Sequence, residues 1–201
     1  MVIENPDSVM VVPHFDNGDT MLVRQWRHAW EDSSWEVPAG TFNEGEDPLV
    51  CAQRELAEET GLRAATYRPL GIVHGAAILT GRAHLYLAEG ITEAARQPET
   101  YEQDMEVLRI PLREAVDAAL NGEIEHSGSV TSLVRAAVAV KLITFCPRAG
   151  RNPHCTGAIQ RDSETRRCWQ RREIANLSRR RVGSDWRSAG RSRASEVHCP
   201  R

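Results

Sequence analysis

The period of hydrophobic positions changes several times along this chain, and each change marks an element. Residues 8–13 (SVMVVP) and 20–24 (TMLVR) are short apolar runs of strand type, joined by Asp16-Asn17-Gly18-Asp19. Asn-Gly between two such runs is a hairpin signal, so the two are expected to pair. Residues 34–37 form another short strand, halted by Pro38-Ala39-Gly40. From Asp47 to Thr60 the pattern turns helical: Pro48 suits a first turn, Leu49, Ala52 and Leu56 recur at helical spacing, and Gly61 ends the run. Those three apolar residues are expected to anchor the helix to a sheet. Residues 71–76, 83–88 and 106–110 read as further strands, and 112–121 and 129–143 as helices with Gly122 between them. This mixture of strands and helices predicts an α/β sandwich rather than a purely parallel doubly wound sheet.

After about Pro147 the periodicity disappears. The tail is rich in Arg, Ser and Gly and poor in Leu, Ile, Val and Phe, so it buries too little apolar area to offset its ordering entropy. The division expected is a folded domain over 1–146 and an Arg-rich disordered tail over 147–201, with at most a transient helix over 166–178. Charge separates the same two parts. The net charge of -3 hides 11 Lys+Arg against 23 Asp+Glu in residues 1–145, and 14 against 5 in 146–201. An acidic body argues against nucleic-acid binding by the folded domain and for a site that concentrates divalent cations. The run Arg179-Arg180-Arg181 with Trp169 and Trp186 leaves an RNA- or partner-binding arm as the alternative to a solvated extension.

No run of about 18 apolar residues occurs, so no membrane span is expected. Met1 to Met10 carries Glu4 and Asp7 and lacks a basic start followed by an apolar stretch, so no signal peptide is expected and a cytoplasmic location follows. The 5 cysteines are odd in number and show no CxxC pair, which argues against a disulfide framework or zinc ribbon; Cys51 reads as a small, half-buried helix residue.

The chemistry lies in residues 40–62, GTFNEGEDPLVCAQRELAEETGL. On the expected helix Glu55, Glu58 and Glu59 stand at i, i+3 and i+4 and share one face. Crowding of like charges is unfavourable unless something cationic is held among them, and Mg²⁺ favours carboxylate oxygens while keeping waters that phosphates replace. Arg54 lies on the other side of that stripe, and Glu46 is placed to receive its guanidinium in a bidentate pair that braces the entering loop. Gly40 and Gly45 are expected to let the backbone turn tightly and approach a ligand. A solvated acidic helix face is the competing reading.

The full string resembles the Nudix box, G-x5-E-x7-R-E-U-x-E-E-x-G-U with U aliphatic. Gly40, Glu46, Arg54, Glu55, Leu56, Glu58, Glu59, Gly61 and Leu62 fill every specified position. The resemblance implies helices flanking a mixed sheet, and hydrolysis of a nucleoside diphosphate linked to another group. It implies that Glu55 and Glu59 bind catalytic metal, Mg²⁺ with Mn²⁺ as alternative, that Glu58 is a ligand or base, that the Ala39 carbonyl adds a ligand, and that Arg54 and Glu46 orient the others.

Outside the box, Arg24-Gln25-Trp26-Arg27 and Trp35-Glu36-Val37-Pro38-Ala39-Gly40 resemble the ADP-ribose pyrophosphatase branch of that family. This implies that Arg27 and Glu36 contact substrate, a small nucleotide cleaved, for ADP-ribose, to AMP and ribose 5-phosphate. Trp26, Trp30 and Trp35 are candidates for stacking on a base, with core packing equally open. The segment 99–106 (ETYEQDME) falls where that branch supplies a loop carboxylate near the attacked phosphate, and Glu102, then Asp104, are the candidates. Two departures stand out. The loop 75–82 (GAAILTGR) carries none of the branch's acidic residues, which puts substrate choice or metal count in question. The chain also starts almost at its first core strand, so a domain-swapped dimer is not expected, while a homodimer through the main sheet stays open. Other nucleoside diphosphate sugars, dinucleotides and oxidised nucleoside triphosphates are rival substrates. A non-catalytic sensor is the rival of another class, and it is disfavoured because every box glutamate is kept.

Overall fold

Val9, Met10, Val11 and Val12 are all buried, so the first strand has apolar neighbours on both faces and must run through the middle of the molecule. The computed structural model describes residues 1–93 and 105–144, all within the compact unit Met1–Phe145. In chain order the elements are β1 (Ser8–His14), β2 (Asp19–Arg27), a 3-10 turn (His28–Trp30), β3 (Asp32–Glu36), β4 (Ala39–Thr41), α1 (Pro48–Thr60), β5 (Leu62–His74), β6 (Arg82–Glu93), β7 (Glu106–Pro111), α2 (Leu112–Asn121) and α3 (Ser127–Ala139). They form a four-stranded sheet in the order β4-β1-β6-β5 and a three-stranded sheet in the order β3-β2-β7. β1 runs parallel to β6 and antiparallel to β4, so the larger sheet is mixed.

Alternation along β1 and β6 splits the core in two. Val9, Val11 and Ala88 face α1, where Cys51, Ala52 and Leu56 meet them. Met10, Val12, Leu85 and Leu87 face the other way, against Ala115 and Val116 of α2 and Leu133, Ala136 and Ala137 of α3. The result is helices on both sides of a mixed sheet, the α/β sandwich that the sequence implies. No helix among the described residues is long and apolar enough to cross a membrane.

Several expectations need correction. β1 and β2 do not form a hairpin pair. The Asn17-Gly18 turn closes, with Gly18 N–H donating to Phe15 O at 2.8 Å and Phe15 N–H to Asp19 O at 3.0 Å. Both edges of β1, however, are taken by β4 and β6, and β2 is carried into the second sheet between β3 and β7. Local turn chemistry is satisfied while tertiary pairing overrides it. Leu49 is 39% exposed and anchors nothing, whereas Cys51 is fully buried and takes its place. Pro38-Ala39-Gly40 does not simply halt a strand, because Ala39 starts β4 and pairs with Met10. The last helix begins two residues earlier and ends at Ala139 rather than Ile143. Residues 94–104, with Glu102 and Asp104, and the tail, with its expected transient helix, lie outside the described residues.

Candidate active site

α1 presents the glutamates because its two ends are fixed by side-chain and backbone chemistry. Asp47 caps the start, its carboxylate accepting from Leu49 N–H at 2.8 Å, and Pro48 occupies the first helical position, where no N–H is needed. Gly61 closes the end in the left-handed conformation, φ 71°, with its N–H on Ala57 O. Between these stops the apolar stripe presses on the sheet, which turns Glu55 and Glu59 inward. Glu55 is 6% exposed and Glu59 not at all.

Arg54 organises one side of the acidic face. Its Nε and Nη2 each lie 2.9 Å from the two oxygens of Glu46, the bidentate brace that the spacing suggested. Its Nη1 donates to Glu55 at 2.7 Å and to Glu58 at 2.9 Å, so Arg54 reaches into the stripe rather than standing beyond it. Contact with Glu46 raises the guanidinium's affinity for its proton further. The same contact holds the Glu46 carboxyl down at about 2. Nη2 also donates to Thr41 O at 3.1 Å, tying the box loop to α1. Burial first, then Glu46 and Glu55, push the neighbouring Cys51 thiol up to about 12, so this cysteine is an inert packing group.

Glu59 is held differently. Gln25 Nε2 donates to one oxygen at 2.5 Å and Ala39 N–H to the other at 2.9 Å. This brings the box helix, β2 and the start of β4 to one point. Gly40 follows Ala39, and a Cβ built on it would stand 1.9 Å from Cδ and Oε1 of Glu55. The glycine is therefore required by the close approach of a carboxylate to the backbone. Gly45 meets nothing within 4 Å and matters instead for its φ of 73°.

Three carboxylates (Glu46, Glu55, Glu58) thus share the Arg54 guanidinium, while Glu59 beside them is held by the Gln25 amide and the Ala39 N–H. Among the described residues no three acidic, imidazole or thiol groups converge on one point, since Arg54 Nη1 lies between Glu55 and Glu58. The donors nevertheless fit a hard divalent cation in kind and charge. Arg54 retains two bonds to Glu46 when its third nitrogen is displaced, so the brace and a cation are compatible.

A cleft of about 470 Å³ opens beside this cluster, lined by Ala39, Gly40, Thr41, Arg27, Trp30 and His126. Arg27 stands in it on a buried support. Its Nε donates to Glu36 at 2.7 Å, and its Nη2 contacts the second oxygen of Glu36. That oxygen also lies 2.9 Å from His126 Nδ1. Glu36 has no exposed surface. Of the three candidate tryptophans, Trp30 lines the cleft, Trp35 packs against the larger core cluster, and Trp26 is 57% exposed away from it. Sequence assigned His126 no motif and Gln25, inside the Arg24-Gln25-Trp26-Arg27 string, no role; tertiary contact with Glu36 and Glu59 reveals both.

Burial by itself raises the Glu36 carboxyl, but hydrogen bonds from Arg27 and His126 outweigh it and hold the group at about 2. A depressed carboxyl contributes stability above its unfolded value, here 4.5, and that contribution disappears as pH falls toward 2. The difference is worth about 3 kcal/mol. Thermal unfolding followed from about pH 5 downward is expected to show a steeper loss of Tm in the wild type than in Glu36→Gln. Parallel curves would remove this role.

A model of the NUDIX domain matches residues 4–130. An ADP-ribose pyrophosphatase of Mycobacterium tuberculosis is 36% identical over 137 residues, 66% of this chain and 66% of that protein. An ADP-ribose pyrophosphatase of Bacillus subtilis is 29% identical over 125 residues, 61% of this chain and 68% of its own length. The chain thus spans about two thirds of the length of these curated relatives. The crystal structure of an ADP compounds hydrolase superposes with a TM-score of 0.62 at 22% identity, covering 68% of this chain and 74% of that one.

Proposed function

The chain belongs to the Nudix family of pyrophosphohydrolases, and from that premise we propose that it hydrolyses ADP-ribose to AMP and ribose 5-phosphate. The observation that carries this reading is the cluster of box carboxylates around a single arginine, opening directly onto a cleft furnished with a second, buttressed arginine. The two curated relatives named for ADP-ribose support that substrate over other nucleoside diphosphate sugars.

Family members in general use divalent metal ions. Glu55, Glu59, Glu58 and the Ala39 carbonyl would hold the ion here, Mg²⁺ by the hardness of the donors, with Mn²⁺ the alternative. When bound, the ion supplies neutralisation of the charge that develops on the diphosphate oxygens. The remaining work falls to the protein. Arg27, held rigid by Glu36, pairs with the negatively charged substrate at the cleft. Glu46 and Arg54 keep the box loop and α1 in register. Glu58, half-exposed at the edge of the cluster, or Glu102 of the segment after β6, accepts the proton of the attacking water. Trp30 offers an aromatic face to the base. The domain is proposed to act from 1–146 in the cytoplasm, alone or as a homodimer, with the tail dispensable.

The test is a panel of ADP-ribose, other nucleoside diphosphate sugars, dinucleotides and oxidised nucleoside triphosphates, with and without Mg²⁺. ADP-ribose is expected to give the highest kcat/KM, with AMP as product. Turnover confined to another class overturns the substrate, and tight binding without turnover would favour a sensor.

A further inference from the structure

The imidazole of His126 takes no part in the chemistry described so far, yet it is anchored as firmly as any side chain in the cleft. His126 occupies the N-cap of α3, a position where Ser, Thr, Asp or Asn would use its side chain to satisfy the helix. Here no side-chain cap bond is made. The ring turns instead to two fully buried partners. Nδ1 is 2.9 Å from Glu36 and 2.9 Å from Ser129 Oγ, and that hydroxyl accepts Val37 N–H at 3.1 Å. A carboxylate only accepts, so Nδ1 carries a hydrogen in this contact. The side chain keeps 20% exposure although Nδ1 is committed to buried partners. His126 lines both the main cleft and a smaller one of about 220 Å³ that also borders Ser8 and Met10. One buried carboxylate therefore aims two side chains into the cleft, Arg27 and His126.

We propose that His126 is a substrate-contacting residue, its Nε2 hydrogen-bonded to a sugar hydroxyl of the nucleotide sugar, with Glu36 and Ser129 setting the ring. The assignment rests on the reading of the site as a nucleotide-sugar hydrolase. With Nδ1 committed to Glu36, Nε2 is the ring nitrogen left for a ligand, and a sugar hydroxyl, which both donates and accepts, pairs with it whether or not it carries a hydrogen. The contact is made equally in ground and transition states, so it belongs to KM rather than kcat.

His126→Asn tests this, because its amide nitrogen stands where Nδ1 does and keeps the bond to Glu36 while leaving nothing at Nε2. KM for ADP-ribose is expected to rise about tenfold, the worth of one hydrogen bond, with kcat within about threefold of wild type. Tm should be unchanged. His126→Gln, which carries an amide at the Nε2 position, is expected to recover most of the KM. An Asn variant with wild-type KM, or one in which kcat and Tm fall together while KM stays, overturns the assignment and leaves His126 a structural support of Glu36. The two readings fail separately. A wild type that turns over no nucleoside diphosphate sugar removes the function on which this rests, whereas an active wild type with an unaltered Asn variant removes His126 alone.

Discussion

Replacing Glu59 by glutamine is expected to lower turnover about a hundredfold or more, by analogy with removal of one electrostatic stabiliser from an active site. Glu59 is fully buried, and its partners include two neutral donors, the Gln25 amide and the Ala39 N–H. Its charge is felt as far as Arg27, whose proton affinity is raised first by Glu36 and also by Glu59. Glutamine keeps the volume. Its amide oxygen retains the Ala39 N–H, and Gln25 turns its own amide to offer oxygen to the new NH₂. Stability therefore changes by no more than about 1–3 kcal/mol, while the charge that would help hold a divalent ion is gone. Steady-state hydrolysis, Tm and Mg²⁺ titration of the two proteins check this together. Full Mg²⁺-dependent turnover in the variant would remove Glu59 from the machinery.

Gly40→Ala is the second large effect, and it separates activity from folding. The new methyl would overlap the Glu55 carboxylate, 1.9 Å from Cδ and Oε1 and 2.3 Å from Oε2. Those atoms are the far end of a flexible side chain, so the backbone need not move and Tm should fall only modestly. The carboxylate must leave its place beside Arg54 Nη1, 2.7 Å away, and with it goes one proposed metal ligand. Activity is expected to drop about a hundredfold or more, as for loss of any charge stabiliser. Gly45→Ala is the control. It meets no neighbour within 4 Å but holds φ at 73°, so it should lower stability by about 1–2 kcal/mol and leave turnover alone. Equal activity in both alanine variants would mean that the approach of Glu55 to Gly40 has no catalytic meaning.

The acidic helix illustrates how far local pattern reaches. Spacing put Glu55, Glu58 and Glu59 on one face, Asp47 and Gly61 at its ends and Glu46 on Arg54, because each relation lies within about twenty residues and follows from helical geometry or a short loop. The same pattern did not say that Arg54 Nη1 would enter the stripe, nor that Leu49 would face solvent, since both depend on how the helix is rotated against the sheet. Arg27 and Glu36 were each visible, but as two substrate contacts. Their antiparallel strands, registered Arg27 to Asp32 and Val23 to Glu36, turn them into one arginine standing on one buried carboxylate.

The amino-acid string alone decided the family, the box helix, its Gly61 stop and the glutamates that give the cluster its charge, all of which are relations between near neighbours. Tertiary structure decided the rest. It sent β2 into a second sheet despite a sound Asn-Gly turn, set Gln25 on Glu59 and His126 on Glu36, and made Gly40 obligatory. Such contacts join residues 15 to 90 positions apart, and they exist only once both faces of β1 have been covered and the strands have chosen their partners.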